Sequence, residues 1–229
     1  MRILLQQAFI LHHRPFRETS LLLDVFTEEH GKISLIAKGV RKHRSTLKAL
    51  LQPFVPLLVS WQGKNELMNL VSVEAKGPPF QLRGDCLLSG LYVNELLVRV
   101  LQKQDPHPKL FSHYVSTLKS LTVFPVNQSM LRIFEKKLLE EMGYGLRYED
   151  FSTGQPLMSD KYYQYYPGDG FKQIDNPQAG GFKGESLLAF SQELLTLPEY
   201  LQDAKRLMRI VISVLLGDQN LQSRELFQK

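Results

Sequence analysis

The sequence predicts an α+β multidomain chain: a small five-stranded β-barrel at the N-terminus, then an all-α helical domain that carries a small irregular insertion. Three observations support this. Up to residue 76, short segments rich in Val, Ile, Leu, Phe and Thr alternate with turn signals. Gly77-Pro78-Pro79 then punctuates the chain. Beyond it, apolar residues recur at helical spacing. The length of 229 residues lies between one typical domain and two. At 43% hydrophobic and 22% charged residues, the chain is too apolar and too mixed to remain unfolded.

The strands are expected near 7–13, 20–26, 33–38, 55–61 and 67–75. Glu28-Glu29-His30-Gly31 and Gln62-Gly63-Lys64-Asn65 close two of the connections, each with a glycine available for positive φ. Five short strands suit a small closed barrel. The OB-fold is the five-stranded case that commonly holds nucleic acid, and strand count alone leaves an SH3-like barrel open. Residues 1–79 are therefore assigned to the barrel and 80–229 to the helical domain. In the latter, Asp85 can cap a helix running to about residue 102, apolar on most sides and hence central to its domain. Pro108 can open a second helix, to 121. A third, 128–142, puts Leu131, Phe134, Leu138 and Met142 on one stripe before Gly143. A fourth runs from Pro198 to Leu216 and stops at Gly217. Between 144 and 182 the helical signal vanishes. Tyr148, Tyr162, Tyr163, Tyr165 and Tyr166 crowd this irregular excursion, and Pro167-Gly168-Asp169-Gly170 marks a hairpin.

Composition excludes several classes. No stretch reaches the roughly 18 apolar residues of a membrane span. The first 16 residues lack a small-residue cleavage signal, so a cytoplasmic protein is expected. A single cysteine, Cys86, rules out an internal disulfide framework and a multi-cysteine zinc site. Gly180, Gly181 and Gly184 precede Glu185-Ser186 rather than the Lys-Ser/Thr of a phosphate-binding loop. Ser-x-x-Lys occurs twice, ending at Lys48 and Lys119, without its companion motifs. His107 and His113 lack partner cysteines for a metal, and adjacent His12 and His13 point to opposite faces of a strand. Cys86, at a helix start, is read as a packing residue and Glu140-Glu141 as solvated. No catalytic constellation and no cofactor site emerges.

Charge placement is more informative. The net charge is +5, and residues 1–80 hold 11 Lys+Arg against 6 Asp+Glu, whereas 81–229 hold 17 of each. No acid lies between Glu29 and Glu66, a gap containing Lys32, Lys38, Arg41, Lys42, Arg44, Lys48 and Lys64. Such asymmetry suggests a polyanionic partner. Lys38-Gly39-Val40-Arg41-Lys42-His43-Arg44-Ser45 leaves a strand as a flexible, glycine-bearing segment able to lay cations along a phosphate backbone. Arg14 and Arg17, flanking Pro15-Phe16, extend the same surface. Among the aromatics, Phe9, Phe26 and Phe54 fit the core, while Phe16, in a loop, is the better platform for a base.

The residues also resemble a known family. Ala8-Phe9-Ile10-Leu11 with Arg14-Pro15, the run from Glu18 to Thr27, Gly31, Ala37-Lys38-Gly39-Val40-Arg41, Ser45-Thr46-Leu47-Lys48 and Leu51-Gln52-Pro53-Phe54 are similar to the opening of the RecO family of bacterial DNA repair proteins. The likeness continues through Gly90-Leu91-Tyr92-Val93-Asn94-Glu95-Leu96-Leu97, Leu131-Arg132-Ile133-Phe134-Glu135, Gly143-Tyr144-Gly145, Leu216-Gly217 and Ser223-Arg224-Glu225-Leu226-Phe227. It implies an N-terminal OB-fold and a helical domain. It also implies a non-enzymatic, nucleoid-associated protein that binds single- and double-stranded DNA and anneals complementary strands. With RecR, such a protein helps RecA load onto DNA coated by single-strand-binding protein. By the resemblance, DNA contact falls on Arg14, Arg17, Lys38, Arg41, Lys42, Arg44 and Lys48. Arg132 falls where the acidic C-terminal tail of single-strand-binding protein docks, a guanidinium beside an apolar groove. Many relatives carry a four-cysteine zinc site in the interval corresponding to 144–182. Here that interval has no cysteine, so no zinc is expected and packing of the tyrosines must hold it.

The expected function is that of a DNA-binding, strand-annealing recombination mediator. A protein-interaction adaptor whose basic loop meets an acidic partner is the alternative. A nuclease would need clustered carboxylates with divalent metal, which the acid-free segment argues against.

Overall fold

A computed structural model describes residues 2–42, 46–175, 180–217 and 221–223. Five strands, β1 (Arg2–Phe16), β2 (Ser20–Thr27), β3 (Gly31–Ala37), β4 (Leu57–Gln62) and β5 (Leu67–Ala75), close into a barrel in the order β1-β2-β3-β5-β4. A one-turn helix, α1 (Leu47–Leu50), lies between β3 and β4. All neighbours are antiparallel except β3 and β5. β1 begins earlier than its local pattern suggests because its first half pairs with β4 and its second half with β2. This closure identifies the OB-fold. Alternate residues fill the interior: Ile10, Leu23, Val25, Ile33, Leu35, Val59 and Trp61 are all at most 3% exposed.

β1 contains a bulge between Ile10 and His12. A bulge adds one residue to a strand and reverses which face later side chains occupy. Before it, Ala8 and Ile10 point into the barrel, while Phe9 points out and meets Phe111 and Tyr114. After it, His13 and Pro15 pair with the inward Leu23 and Leu21, so His12, Arg14 and Phe16 face outward.

Two helices complete this unit, α2 (Gly84–Val100) and α3 (Pro108–Ser120). Arg83, rather than Asp85, occupies the N-cap of α2, and Asp85 lies in its first turn. The side-chain amide of Asn94 on α2 donates to the Leu11 carbonyl at the bulge (3.0 Å), and its Oδ1 accepts from the Tyr114 hydroxyl of α3 (2.7 Å). The carbonyl freed by the bulge is thus satisfied by a side chain that ties both helices to the barrel. Burial raises the Tyr114 pKa, which keeps its proton available for that bond. Gly31, at φ +63°, ends the β2–β3 turn where an added Cβ would lie 1.9 Å from the Asp105 carbonyl oxygen. Cys86 is buried, as a packing residue should be. Near the chain end, the Glu95 carboxylate accepts from the Gln222 and Ser223 amides (2.9 Å each), the Ser223 hydroxyl (2.6 Å) and Arg99.

Compactness draws its division later than Gly77-Pro78-Pro79. Residues 1–126 with the segment from Leu221 form one unit and 127–220 the other. The second unit holds α4 (Gln128–Glu141), α5 (Gly184–Ser191) and α6 (Pro198–Leu216). The interval expected to be irregular carries a three-stranded antiparallel sheet, β6 (Tyr162–Tyr166), β7 (Gly170–Ile174) and β8 (Phe182–Lys183). The expected hairpin joins β6 to β7, with Tyr166 opposite Gly170. Phe171 is fully buried between Tyr148 and Tyr165. Asp150 Oδ1 accepts from the Ser152 amide and hydroxyl and the Thr153 amide, and Oδ2 from the Gln173 amide (2.6 Å). Burial works to raise the Asp150 pKa, but these donors hold it below the usual carboxylate range. Within the glycine-rich run, Gly184 is fixed by close packing: an added Cβ would lie 1.9 Å from the Met158 carbonyl oxygen.

Asn94→Ala leaves the buried Leu11 carbonyl and Tyr114 hydroxyl without partners and should cost about 3 kcal/mol, against about 1 for Tyr114→Phe; urea denaturation of both variants measures the difference. Asp150→Asn sets an amide donor against Gln173 and should cost about 1.5–3 kcal/mol at pH 7, the range for bonds to a charged group. Because the folded pKa lies below the unfolded one, Asp150 contributes fully above about pH 4 and loses that contribution as pH falls through the folded value. The gap between wild type and variant should therefore close in acid, and urea midpoints taken from pH 7 to pH 3 report it.

Candidate nucleic-acid interface

At one end of the barrel two turns lie side by side. The β1–β2 turn carries Arg17 at φ 53°, an unusual conformation for a residue with a side chain. The turn after β3 carries Lys38, Gly39 at φ 73°, Val40, Arg41 and Lys42. The Arg41 amide donates to the Thr19 carbonyl (2.9 Å), and its Nη1 to the Arg17 carbonyl (3.1 Å). The turn expected to be flexible is anchored over these residues: Val40 is fully buried in the barrel core, and the Lys42 amide donates to the Gly39 carbonyl. Glycine supplies the positive φ that lets Val40 turn inward while its charged neighbours stay outside.

Arg14, Arg17, Lys38, Arg41 and Lys42 are all exposed, and among the described residues none has a carboxylate within 4.0 Å. Elsewhere exposed cations do find acids, as in Lys103–Glu66 at 2.6 Å and Lys183–Glu185 at 2.6 Å. The structure therefore gathers five of the seven candidates around the two turns. Lys48 is exposed on a separate element, α1, whose Leu47 and Leu50 pack against the barrel core. Arg44 lies outside the described residues. Lys32, also within the acid-free gap, has turned inward: its Nζ donates to the Val98 carbonyl at the end of α2 (2.5 Å). Burial lowers its pKa, against an upward pull from Asp24. It serves as a helix C-terminal partner rather than as part of the open cluster.

The aromatics sort as the strand pattern implies. Phe9, Phe26 and Phe54 are buried, and Trp61 fills the barrel. Phe16 is half-buried, with the Arg17 guanidinium 5.3 Å from its ring centroid. Sequence reasoning missed Leu22 and Ile36, half-buried on the outward face beside Arg14. The run Leu21-Leu22-Leu23 hid their alternation; pairing with β1 would have revealed it.

In the second unit, Arg132 does not stand free beside a groove. It is 8% exposed, and its Nη2 lies 2.8 Å from Glu135, three residues along α4. Its Nε is buried without a hydrogen-bond partner. The same face of α4 runs along the segment after α5: Ser129 donates to the Leu195 carbonyl, and Lys136 Nζ to the Ser191 carbonyl and Glu193. Leu194 and Leu197 of that segment are exposed. A separate cavity of about 600 Å³, lined by Leu139, Tyr144, Tyr165, Val211, Val214 and Leu215, does not include Arg132.

His107 lies 3.2 Å from Asp105, and among the described residues no three His, Cys, Asp or Glu side chains are placed to share a metal ion. No helix among them is long and apolar enough to cross a membrane.

A closed OB barrel followed by a helical region, with a basic barrel end that has no carboxylate partners within 4.0 Å among the described residues, defines the class as an OB-fold protein with a surface suited to a polyanion. Two family models match the chain, recombination protein O N terminal over residues 1–79 and recombination protein O C terminal over 82–214. The DNA repair protein RecO of Coxiella burnetii (strain RSA 331 / Henzerling II) is 42% identical over 98% of each chain. That of Nitrosococcus oceani is 42% identical over 100% of this chain and 94% of its own, and that of Actinobacillus pleuropneumoniae serotype 7 is 43% identical over 97% and 93%. The chain belongs to the RecO family of DNA repair proteins.

Removing the Arg132 guanidinium would take a cationic neighbour from the Glu135 carboxylate, which is buried inside the second unit. Arg132→Ala removes one charge-assisted bond to Glu135 and should destabilise by roughly 1.5–3 kcal/mol, and the double change Arg132→Met with Glu135→Leu by less. Thermal unfolding of the two variants checks this ordering.

Proposed function

We propose that this protein is a non-catalytic mediator of recombinational DNA repair that binds single- and double-stranded DNA through its basic barrel end and anneals complementary strands. One observation carries the reading: five exposed cations lie on or beside two adjoining turns, with no carboxylate within 4.0 Å of any of them among the described residues. Phosphates supply the missing charge, and the counterions they release drive binding. With their repulsion screened on one surface, two complementary strands meet at lower cost, and base pairing provides the free energy of annealing. No covalent bond changes in this scheme.

Membership of the RecO family supports the rest of the reading. Residues 1–79 act as the nucleic-acid-binding domain and 80–229 as the partner-docking domain. Acting with RecR, the protein promotes loading of RecA onto DNA coated by single-strand-binding protein, in a cytoplasmic, nucleoid-associated setting. Arg132 contributes positive charge toward the acidic C-terminal tail of single-strand-binding protein, with the exposed Leu194 and Leu197 offering apolar contact. Arg44 and Lys48 add to the DNA contact.

Titrating labelled single strands at several salt concentrations tests the charge mechanism. The logarithm of affinity should fall linearly with that of salt. Arg41→Ala with Lys42→Ala should weaken binding to single strands and duplex alike and flatten the single-strand slope by about 0.7 for each phosphate no longer neutralised. An unchanged slope would move the interface elsewhere. The same double variant should slow protein-free annealing of complementary oligonucleotides toward the rate without protein, whereas an adaptor with incidental DNA affinity would not anneal them.

A further inference from the structure

The barrel's outward face has two ends that differ in what covers them. Directly paired residues of neighbouring strands share a face. Pro15 pairs with Leu21 and Leu21 with Ala37, the latter two inside the core. The adjacent set, Arg14 with Leu22 and Leu22 with Ile36, therefore looks outward. On β2 this outward row reads Ser20, Leu22, Asp24, Phe26. At its far end Phe26 pairs with Phe9, and both are buried against Phe111 and Tyr114 of α3. At its near end Phe16, Leu22 and Ile36 are only half-buried.

We propose that this near end, from Phe16 across Leu22 to Ile36, is a stacking platform for the unpaired bases of a single-stranded nucleic acid. The proposal rests on the DNA-binding reading above and adds to it the feature that separates single strands from duplex.

Charge complementarity selects this occupant. Arg14, Arg17, Lys38, Arg41 and Lys42 border the apolar strip without carboxylate partners among the described residues. The strip is thus apolar along its middle and cationic along its rim, matching bases flanked by phosphates. Arg17 lies over the Phe16 ring, so the pair offers an aromatic face and a planar guanidinium at one site, and bases stack on either. The Arg41 bond to the Arg17 carbonyl holds that turn in its positive-φ conformation and so fixes the pair relative to the second basic turn. Asp24, 3.7 Å from His12 and hydrogen-bonded to Ser34, closes the platform toward the helices, since its carboxylate repels phosphate. A strand is thereby confined to the Arg14–Phe16 side. Duplex DNA reaches the rim through its phosphates, but its base faces are already stacked on one another and gain nothing from the strip.

The test compares affinities of the full chain for a fluorescein-labelled single-stranded oligonucleotide and for the corresponding duplex, by anisotropy. Phe16→Ala should weaken single-strand binding between about fivefold and a hundredfold, leave duplex binding within about twofold, and leave the salt slope unchanged. Phe16→Leu, which keeps apolar contact with the barrel but removes the ring, should show a loss in the same direction. Phe16→Trp should bind as wild type does. Unchanged single-strand affinity in Phe16→Ala and Phe16→Leu, or equal losses on both DNA forms, would overturn the platform. If Arg41→Ala with Lys42→Ala still weakens both forms, the DNA-binding reading survives that result; if it alters neither, that reading falls as well.

Discussion

The extra residue in β1 governs much of what the first unit does. Without the bulge, the alternation set by Ala8 and Ile10 would carry Arg14 and Phe16 into the barrel and turn His13 and Pro15 outward. With it, one strand serves two outward surfaces: Phe9 meets the helices, and further along the same face presents a cation and an aromatic ring to solvent. The bulge is tolerated because its freed carbonyl finds the Asn94 amide, and Asn94 in turn finds Tyr114. A backbone irregularity, a buried amide and a buried phenol thus act as one device.

The basic rim depends on a second inside-outside arrangement. A loop of cations held only by its ends would spread under self-repulsion and lose its geometry. Val40 prevents this by filling the barrel interior, so the charged residues on either side of it occupy fixed positions. Apolar burial supplies the free energy that keeps like charges close, and phosphate supplies the counter-charge. The contrast with Lys32 is instructive: a lysine in the same acid-free gap, placed opposite a helix terminus, is taken up by a carbonyl.

Much of this was legible in the sequence. All five barrel strands, the four longer helices, the punctuating Gly217 and the β6–β7 hairpin follow from local pattern and turn chemistry. What local pattern could not show were features decided by long-range pairing. The early start of β1 requires β4 as a partner, and the outward face of Leu22 is masked by its leucine neighbours. β6, with four tyrosines in five residues, offers no alternation to read, and the eight residues of α5 are too few for a helical period to stand out. The surroundings of Arg132 differ from the open groove edge expected of it for a local reason: Glu135 lies one turn along the same helix face, and a carboxylate at that spacing engages one edge of the guanidinium. Within the second unit, Asp150 cross-links two chain segments by accepting four hydrogen bonds, and Phe171 fills the space between its tyrosines, so the excursion has both a polar clasp and an apolar core.

The Glu95 carboxylate that holds residues 222 and 223 has a topological meaning. Since the chain leaves the first unit after Val126 and rejoins it at Leu221, the second unit is an insertion within the first, not an appendage to it. Cutting the chain once cannot separate them cleanly: a fragment ending at 126 leaves Glu95 with Arg99 but without the three donors of the returning segment. Excision of 127–220 with the flanks rejoined is the dissection that respects the architecture, and it would make the barrel, its two helices and the C-terminal segment a contiguous polypeptide.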